Sequence, residues 1–166
     1  MKFVLDTDIL SMFAKAEALG WLGELLGWEN LVMTPAIRDE IAVPLRYGYV
    51  FPKEVLSQIV VIPLTERALR EYERLWMSYP SLGRGELEAI ALCKTTEAIF
   101  VTNDRVARKI AQNQGVETIS LQTVLRALWV SKIASKAEVR ALLERLKIVD
   151  HLDVPSEVER EIFSEG

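Results

Sequence analysis

The chain has 166 residues, 50% of them hydrophobic and 27% charged, which is enough for one domain with a substantial core. Its net charge of −4 excludes a broad nucleic-acid footprint built on counterion release, though not a small local contact. The single cysteine, Cys93, excludes an internal disulfide and points to a reducing compartment, and no apolar run approaches the ~20 residues of a membrane span.

Residues 2–5 read as a short apolar strand. Asp6 and Asp8 interrupt the apolar N-terminus, so no signal peptide is expected and the protein reads as cytoplasmic. Helices are expected over residues 9–16 and 19–26, the second weakened by Gly20, Gly23 and Gly27. Residues 30–33 form a second strand. Thr34 then caps a helix with Pro35 in its first position, running to about Pro44. Residues 46–51 read as irregular, a short helix follows Pro52, and residues 59–62 form a β-branched strand stopped by Pro63.

Thr65 opens a longer helix with Leu69, Tyr72, Leu75, Trp76 and Tyr79 on one face, ended by Pro80. Residues 81–85 read as a flexible turn; Gly83 and Gly85 do not follow a strand, and no Gly-Lys-Ser/Thr occurs, so a phosphate-binding loop is not indicated. Residues 86–94 are helix, 98–101 strand, 105–112 helix and 117–119 a last short strand. Three helical segments remain, at about 121–132, 136–148 and 156–164, with capping-box patterns at Ser135 and Ser156. Trp21, Trp28, Trp76 and Trp129 read most simply as core or interface residues. The alternation of strands and helices predicts a parallel sheet covered on both faces, an α/β fold. The charged stretch from about 134 reads as a helical appendage.

Four carboxylates fall where strands give way to helices: Asp6, Glu40, Glu86 and Asp104. Ligands of open α/β sheets bind beyond the carboxyl ends of the strands, and Asp6 and Asp104 follow apolar strands directly. Asp104 also suits a helix cap, whereas a capping role is less natural for Asp6. Glu40 borders the stripe of Ile37, Ile41 and Pro44, while Asp39 points away. Helix phase places Glu86 with Leu87, Ile90 and Cys93 and turns Glu88 to the opposite side. Clustered carboxylates repel one another and are poorly solvated near a core, so a cation belongs among them. Hard oxygen ligands suit Mg²⁺ or Mn²⁺. Zinc would call on Cys93 or His151, which read as structural or solvated.

The chain resembles PIN-domain nucleases of the VapC toxin type. The matching pieces are Val4-Leu5-Asp6-Thr7-Asp8-Ile9-Leu10, Thr34-Pro35-Ala36-Ile37-Arg38-Asp39-Glu40-Ile41, Gly83-Arg84-Gly85-Glu86-Leu87-Glu88-Ala89-Ile90-Ala91-Leu92 and Val101-Thr102-Asn103-Asp104-Arg105. They occur in the family's order over roughly residues 2–130. The resemblance implies a three-layer α/β/α fold with a central parallel five-stranded sheet. It divides the chain into a nuclease domain at 1–133 and a helical C-terminal extension at 134–166. It implies a Mg²⁺-dependent endoribonuclease, an antitoxin partner and a homodimer. Asp6, Glu40, Glu86 and Asp104 take the family's acidic positions, and Thr102 takes its hydroxyl position near the metal. Asp8 stands where the family often has Asn or Ser, which leaves it open as ligand, as an acid behind a ligand or as a helix-start residue. Glu88 competes with Glu86 for the third acid. Arg84, Arg105, Arg108 and Lys109 lie near these motifs and are candidates for RNA phosphates. Two rivals stand beside this reading: a haloacid-dehalogenase-type phosphatase using Asp6, and a PIN-like module kept for binding without catalysis.

Overall fold

A computed structural model describes residues 1–165; Gly166, the last residue of the expected extension, lies outside the described residues. Five strands pair in parallel in the order β3-β2-β1-β4-β5: β1 (Phe3–Leu5), β2 (Leu31–Met33), β3 (Val60–Val61), β4 (Ile99–Val101) and β5 (Thr118–Ile119). The three central strands are unbroken apolar triplets, as a sheet covered on both faces requires. Ten α-helices flank this sheet among the described residues, giving the three-layer α/β/α architecture.

The order of strands sets the position of the site. The chain runs outward from β1 to β3, then returns to the other side of β1 for β4 and β5. Strand order therefore reverses between β1 and β4, where the crevice at the carboxyl edge of such a sheet lies. A polar residue ends most strands at this edge and caps the following helix. Asp6 Oδ1 accepts the Ile9 N–H of α1 (Thr7–Lys15) at 2.9 Å. Thr34 accepts from Ile37 of α3 (Pro35–Ala42) at 3.3 Å. Asp104 accepts from Ala107 of α7 (Arg105–Asn113) at 2.8 Å, and Ser120 from Thr123 of α8 (Leu121–Val130) at 3.2 Å. Such caps satisfy the orphan N–H groups of a first turn. Asp6 is thus a cap after all, because its strand ends directly at the helix start with no loop between them.

Other elements refine the expectations. In α2 (Leu19–Leu26), a Cβ on Gly23 would stand 2.0 Å from the Trp28 ring, so this glycine seats the indole rather than loosening the helix. Residues Val43–Tyr47, read partly as irregular, form a 3-10 turn before α4 (Pro52–Gln58). On α5 (Glu66–Ser78) the buried line passes through Ala68 and Leu75, and Trp76 and Leu69 are exposed. The helix α6 (Arg84–Thr96) starts two residues earlier than expected, with Gly83 as its cap residue. It is buried on nearly every side between α5, α3 and the sheet. The last helices, α9 (Lys136–Val149) and α10 (Ser156–Phe163), place Val139, Leu142, Leu143, Leu146, Ile162 and Phe163 in the same continuous core as the sheet.

Candidate active site

The parallel pairing of Leu5 with Val101 sets Asp6 beside Thr102 at the ends of β1 and β4. The Asp6 N–H donates to Val101 O at 3.1 Å, and the Thr102 hydroxyl donates to Asp6 Oδ2. Thr102 is fully buried and Asp6 nearly so. The Thr102 hydroxyl also accepts the Asp104 N–H at 3.1 Å, linking the two strand ends.

Asp6, Asp8, Glu40 and Glu86 converge on one cavity of about 110 Å³, completed by Thr7, Ile37 and Gly85. Each acid arrives from a different local device. Asp6 leaves β1, and Asp8 stands in the first turn of α1. Glu40 reaches in from α3, accepting the Thr7 hydroxyl and the Gly85 N–H, the latter at 3.2 Å. A Cβ at Gly85 would stand 2.7 Å from that carboxylate, so glycine is what admits it. Glu86, in the first turn of α6, accepts the Gly83 N–H at 3.1 Å. Asp104 spends one oxygen on its cap, yet its charge acts on both Asp8 and Glu86. Asp39 pairs with Arg38 at 3.1 Å on the exposed side of α3.

The electrostatics match a cluster of uncompensated anions. Burial pushes the Asp6 carboxyl up to about 7; the Thr102 and Ile9 hydrogen bonds oppose the rise, and Asp8 and Glu86 add to it. Burial also raises Glu86, as do Asp104, Glu40 and Asp8. Asp8 is raised by burial and then by Asp150, Asp104 and Glu40, with Lys15 opposing. Asp6, Glu40, Glu86 and Asp104 are each tied to N–H or hydroxyl donors of their own neighbourhood. Among the described residues no three acid, histidine or cysteine side chains are drawn together closely enough to enclose an ion by themselves. In donor type the set nevertheless fits a hard divalent cation: carboxylate oxygens, a hydroxyl nearby and no soft ligand. Such ions keep several waters and need few direct protein ligands.

Glu88 corrects the helix-phase argument. It is 6% exposed, its Oε1 accepts the Ala36 N–H at 2.9 Å, and it pairs with Arg84 at 3.4 Å. It braces the start of α3 instead of facing solvent, because α6 has no solvent side at that point. Arg84 is thereby engaged, whereas Arg105 and Arg108 line a separate cleft with Asn103. Thr7, Gly85 and Asp150 escaped the sequence reading. For Gly85 a signal existed, since a glycine one residue from a helix-start acid suggests close approach. For Thr7 and Asp150 none did.

The DUF3368 family model, described as a PIN domain, matches residues 2–165. The chain belongs to the PIN-domain family. PIN domains are in general metal-using nucleases, which supports a nuclease-type function over the aspartyl-phosphatase alternative. The PIN-domain match extends through α9 and α10. A search of curated proteins finds no match. Among the described residues no helix is long and apolar enough to cross a membrane.

Proposed function

We propose that this PIN domain is a Mg²⁺- or Mn²⁺-dependent endoribonuclease, with Asp6, Glu40, Glu86 and Asp104 as its metal-holding acids. The observation that carries the reading is the convergence of Asp6, Asp8, Glu40 and Glu86 on one small cavity at the point where strand order reverses; Asp104 does not line that cavity, but its charge acts on Glu86. A bound divalent ion would supply Lewis-acid charge at the scissile phosphate and lower the pKa of an attacking water. The chain's own residues do the positioning. Thr102 orients the Asp6 carboxylate from behind, Thr7 and Gly85 hold Glu40, and Gly83 holds Glu86. Asp8 joins the cavity as a further acid, and Glu88 fixes α3 against α6 from outside it. Among the described residues no histidine or cysteine lies in the cavity to act as a base or nucleophile.

The VapC resemblance extends this reading to the toxin of a type II toxin–antitoxin pair, with RNA as substrate, an antitoxin protein and a second copy of the chain as partners. The single cysteine, buried Cys93, agrees with a cytoplasmic setting. The experiment is cleavage of defined RNAs with Mg²⁺ or with EDTA. Cleavage is expected only with the metal, and Asp6→Asn is expected to abolish it while leaving the circular-dichroism spectrum unchanged. Undiminished cleavage by this variant refutes the assignment.

A further inference from the structure

Beside the acid cavity lies a larger cleft of about 380 Å³. Asn103, Arg105 and Arg108 form one wall, and the linker residues Leu152, Asp153, Val154 and Pro155, between α9 and α10, form the other. The turn between β4 and α7 runs from Asp6 to this cleft: the Thr102 hydroxyl donates to Asp6 Oδ2 and accepts the Asp104 N–H at 3.1 Å. Asn103 and Arg105 flank Asp104, whose charge reaches Asp8 and Glu86 in the acid cavity. The start of the linker is tied to α1, the helix that Asp6 caps: Asp150 pairs with Lys15 at 3.0 Å.

Neither Arg105 nor Arg108 has a carboxylate within ion-pairing distance among the described residues, although Asp153 lines the same cleft. Two free guanidinium groups next to a phosphodiester-cleaving site suit a phosphate, which they bind with forked hydrogen bonds. Leu152, Val154 and Pro155 offer an apolar face to a planar base. The Asn103 amide and the Asp153 carboxylate match the donors and acceptors of a base edge.

We infer that this cleft holds one unpaired nucleotide of single-stranded RNA adjoining the cleaved phosphate, with Arg105 and Arg108 on its phosphate and the 152–155 linker over its base. The inference rests on the nuclease reading for the strand's placement. It excludes duplex RNA, whose stacked bases cannot enter a lateral cleft. It also explains how an acidic protein engages RNA without a broad basic face.

The test measures binding apart from cleavage, with Asp6→Asn protein and EDTA, by fluorescence anisotropy of a short labelled single-stranded RNA. Adding Arg105→Ala and Arg108→Ala is expected to weaken binding at least tenfold and to flatten the dependence of log Kd on log salt by about 1. Either single variant is expected to show the same sign, and circular dichroism checks that each folds. RNA carrying 4-thiouridine is expected to crosslink to the peptide around 152–155. Unchanged affinity, equal affinity for duplex RNA, crosslinks elsewhere only, or a mononucleotide binding as tightly as the strand would each overturn the inference. Loss of binding in the arginine variants with no metal-dependent cleavage by the unsubstituted chain would sink the nuclease reading and keep the cleft. Intact cleavage with unchanged affinity would sink the cleft alone.

Discussion

Asp6 carries two structural duties and one electrostatic burden. Its oxygens cap α1 through Ile9 and accept the Thr102 hydroxyl, while burial holds its carboxyl at about 7, against 3.8 for an ordinary aspartate. Between pH ~4 and ~7 the folded chain keeps a proton that the unfolded chain has released. Folding is then weakened as pH rises through this window, and the loss is complete above it. Each unit of elevation corresponds to about 1.4 kcal/mol. Asp6→Asn removes the charge and keeps a side chain able to meet both partners. In EDTA at about pH 8 the variant is expected to be more stable than the unsubstituted chain by about 2 kcal/mol, a melting temperature several degrees higher. At about pH 4 the two are expected to converge. Thermal melts at the two pH values check this, and a lower melting temperature for the variant at the higher pH contradicts it. The strand-end acids were legible in the sequence because each follows a short apolar run. The cap made by Asp6 was not, because the exact helix start depends on β1 stopping at Leu5.

Helix α6 shows how an element's surroundings override its pattern. Its phase was read from Leu87, Ile90 and Cys93 as if one side met water, but α5, α3 and the sheet enclose it. Glu88 consequently lies in the interior, where its carboxylate meets the Ala36 N–H of α3 and the Arg84 guanidinium. On the far side, Glu71 of α5 accepts from Arg74 at 2.9 Å and pairs with Lys94 of α6, which pulls its carboxyl down to about 2. Glu88→Ala would leave a buried N–H at the start of α3 without its acceptor, at a cost of about 2 kcal/mol. Urea denaturation is expected to show that loss with an unchanged m-value. A smaller loss is expected for Glu88→Gln, which keeps an acceptor. A Glu88→Ala midpoint equal to that of the unsubstituted chain would show that the brace contributes nothing. Glu40 and Gly85 belong to the same contact between α3 and α6, so this brace also supports one acid of the cavity.

At the scale of the molecule, we propose that residues 134–165 are a helical extension folded into the nuclease unit. Seven of their apolar side chains lie in the common core: Ala134, Val139, Leu142, Leu143, Leu146, Ile162 and Phe163. The Trp129 indole N–H donates to Ile162 O at 2.8 Å, and Lys15–Asp150 ties the extension to the last turn of α1. Full burial of such side chains stabilises by roughly 1.5–3 kcal/mol each, together comparable to the whole stability of a domain at about 5–15 kcal/mol. A chain ending at residue 133 is therefore expected to lose cooperative thermal unfolding. A truncated chain that melts cooperatively within a few degrees of the full one would show instead that the extension is an independent appendage.

The sequence by itself determined the alternation of strands and helices, the parallel character of the sheet and the strand ends that carry Asp6 and Asp104. These are local signals: short β-branched or apolar runs, capping residues and turn residues act over a few positions. Glu40, also expected at a strand-to-helix junction, lies inside α3, and Glu86 opens a helix that follows α5 rather than a strand. The tertiary structure alone decided which junctions meet. Thr102 reaches Asp6 across 96 positions, Glu88 reaches Ala36 across 52 and Glu40 reaches Gly85 across 45. Those contacts follow from the return of the chain to place β4 beside β1. A long-range pairing of that kind is chosen by the packing of the whole core, and no run of neighbouring residues encodes it.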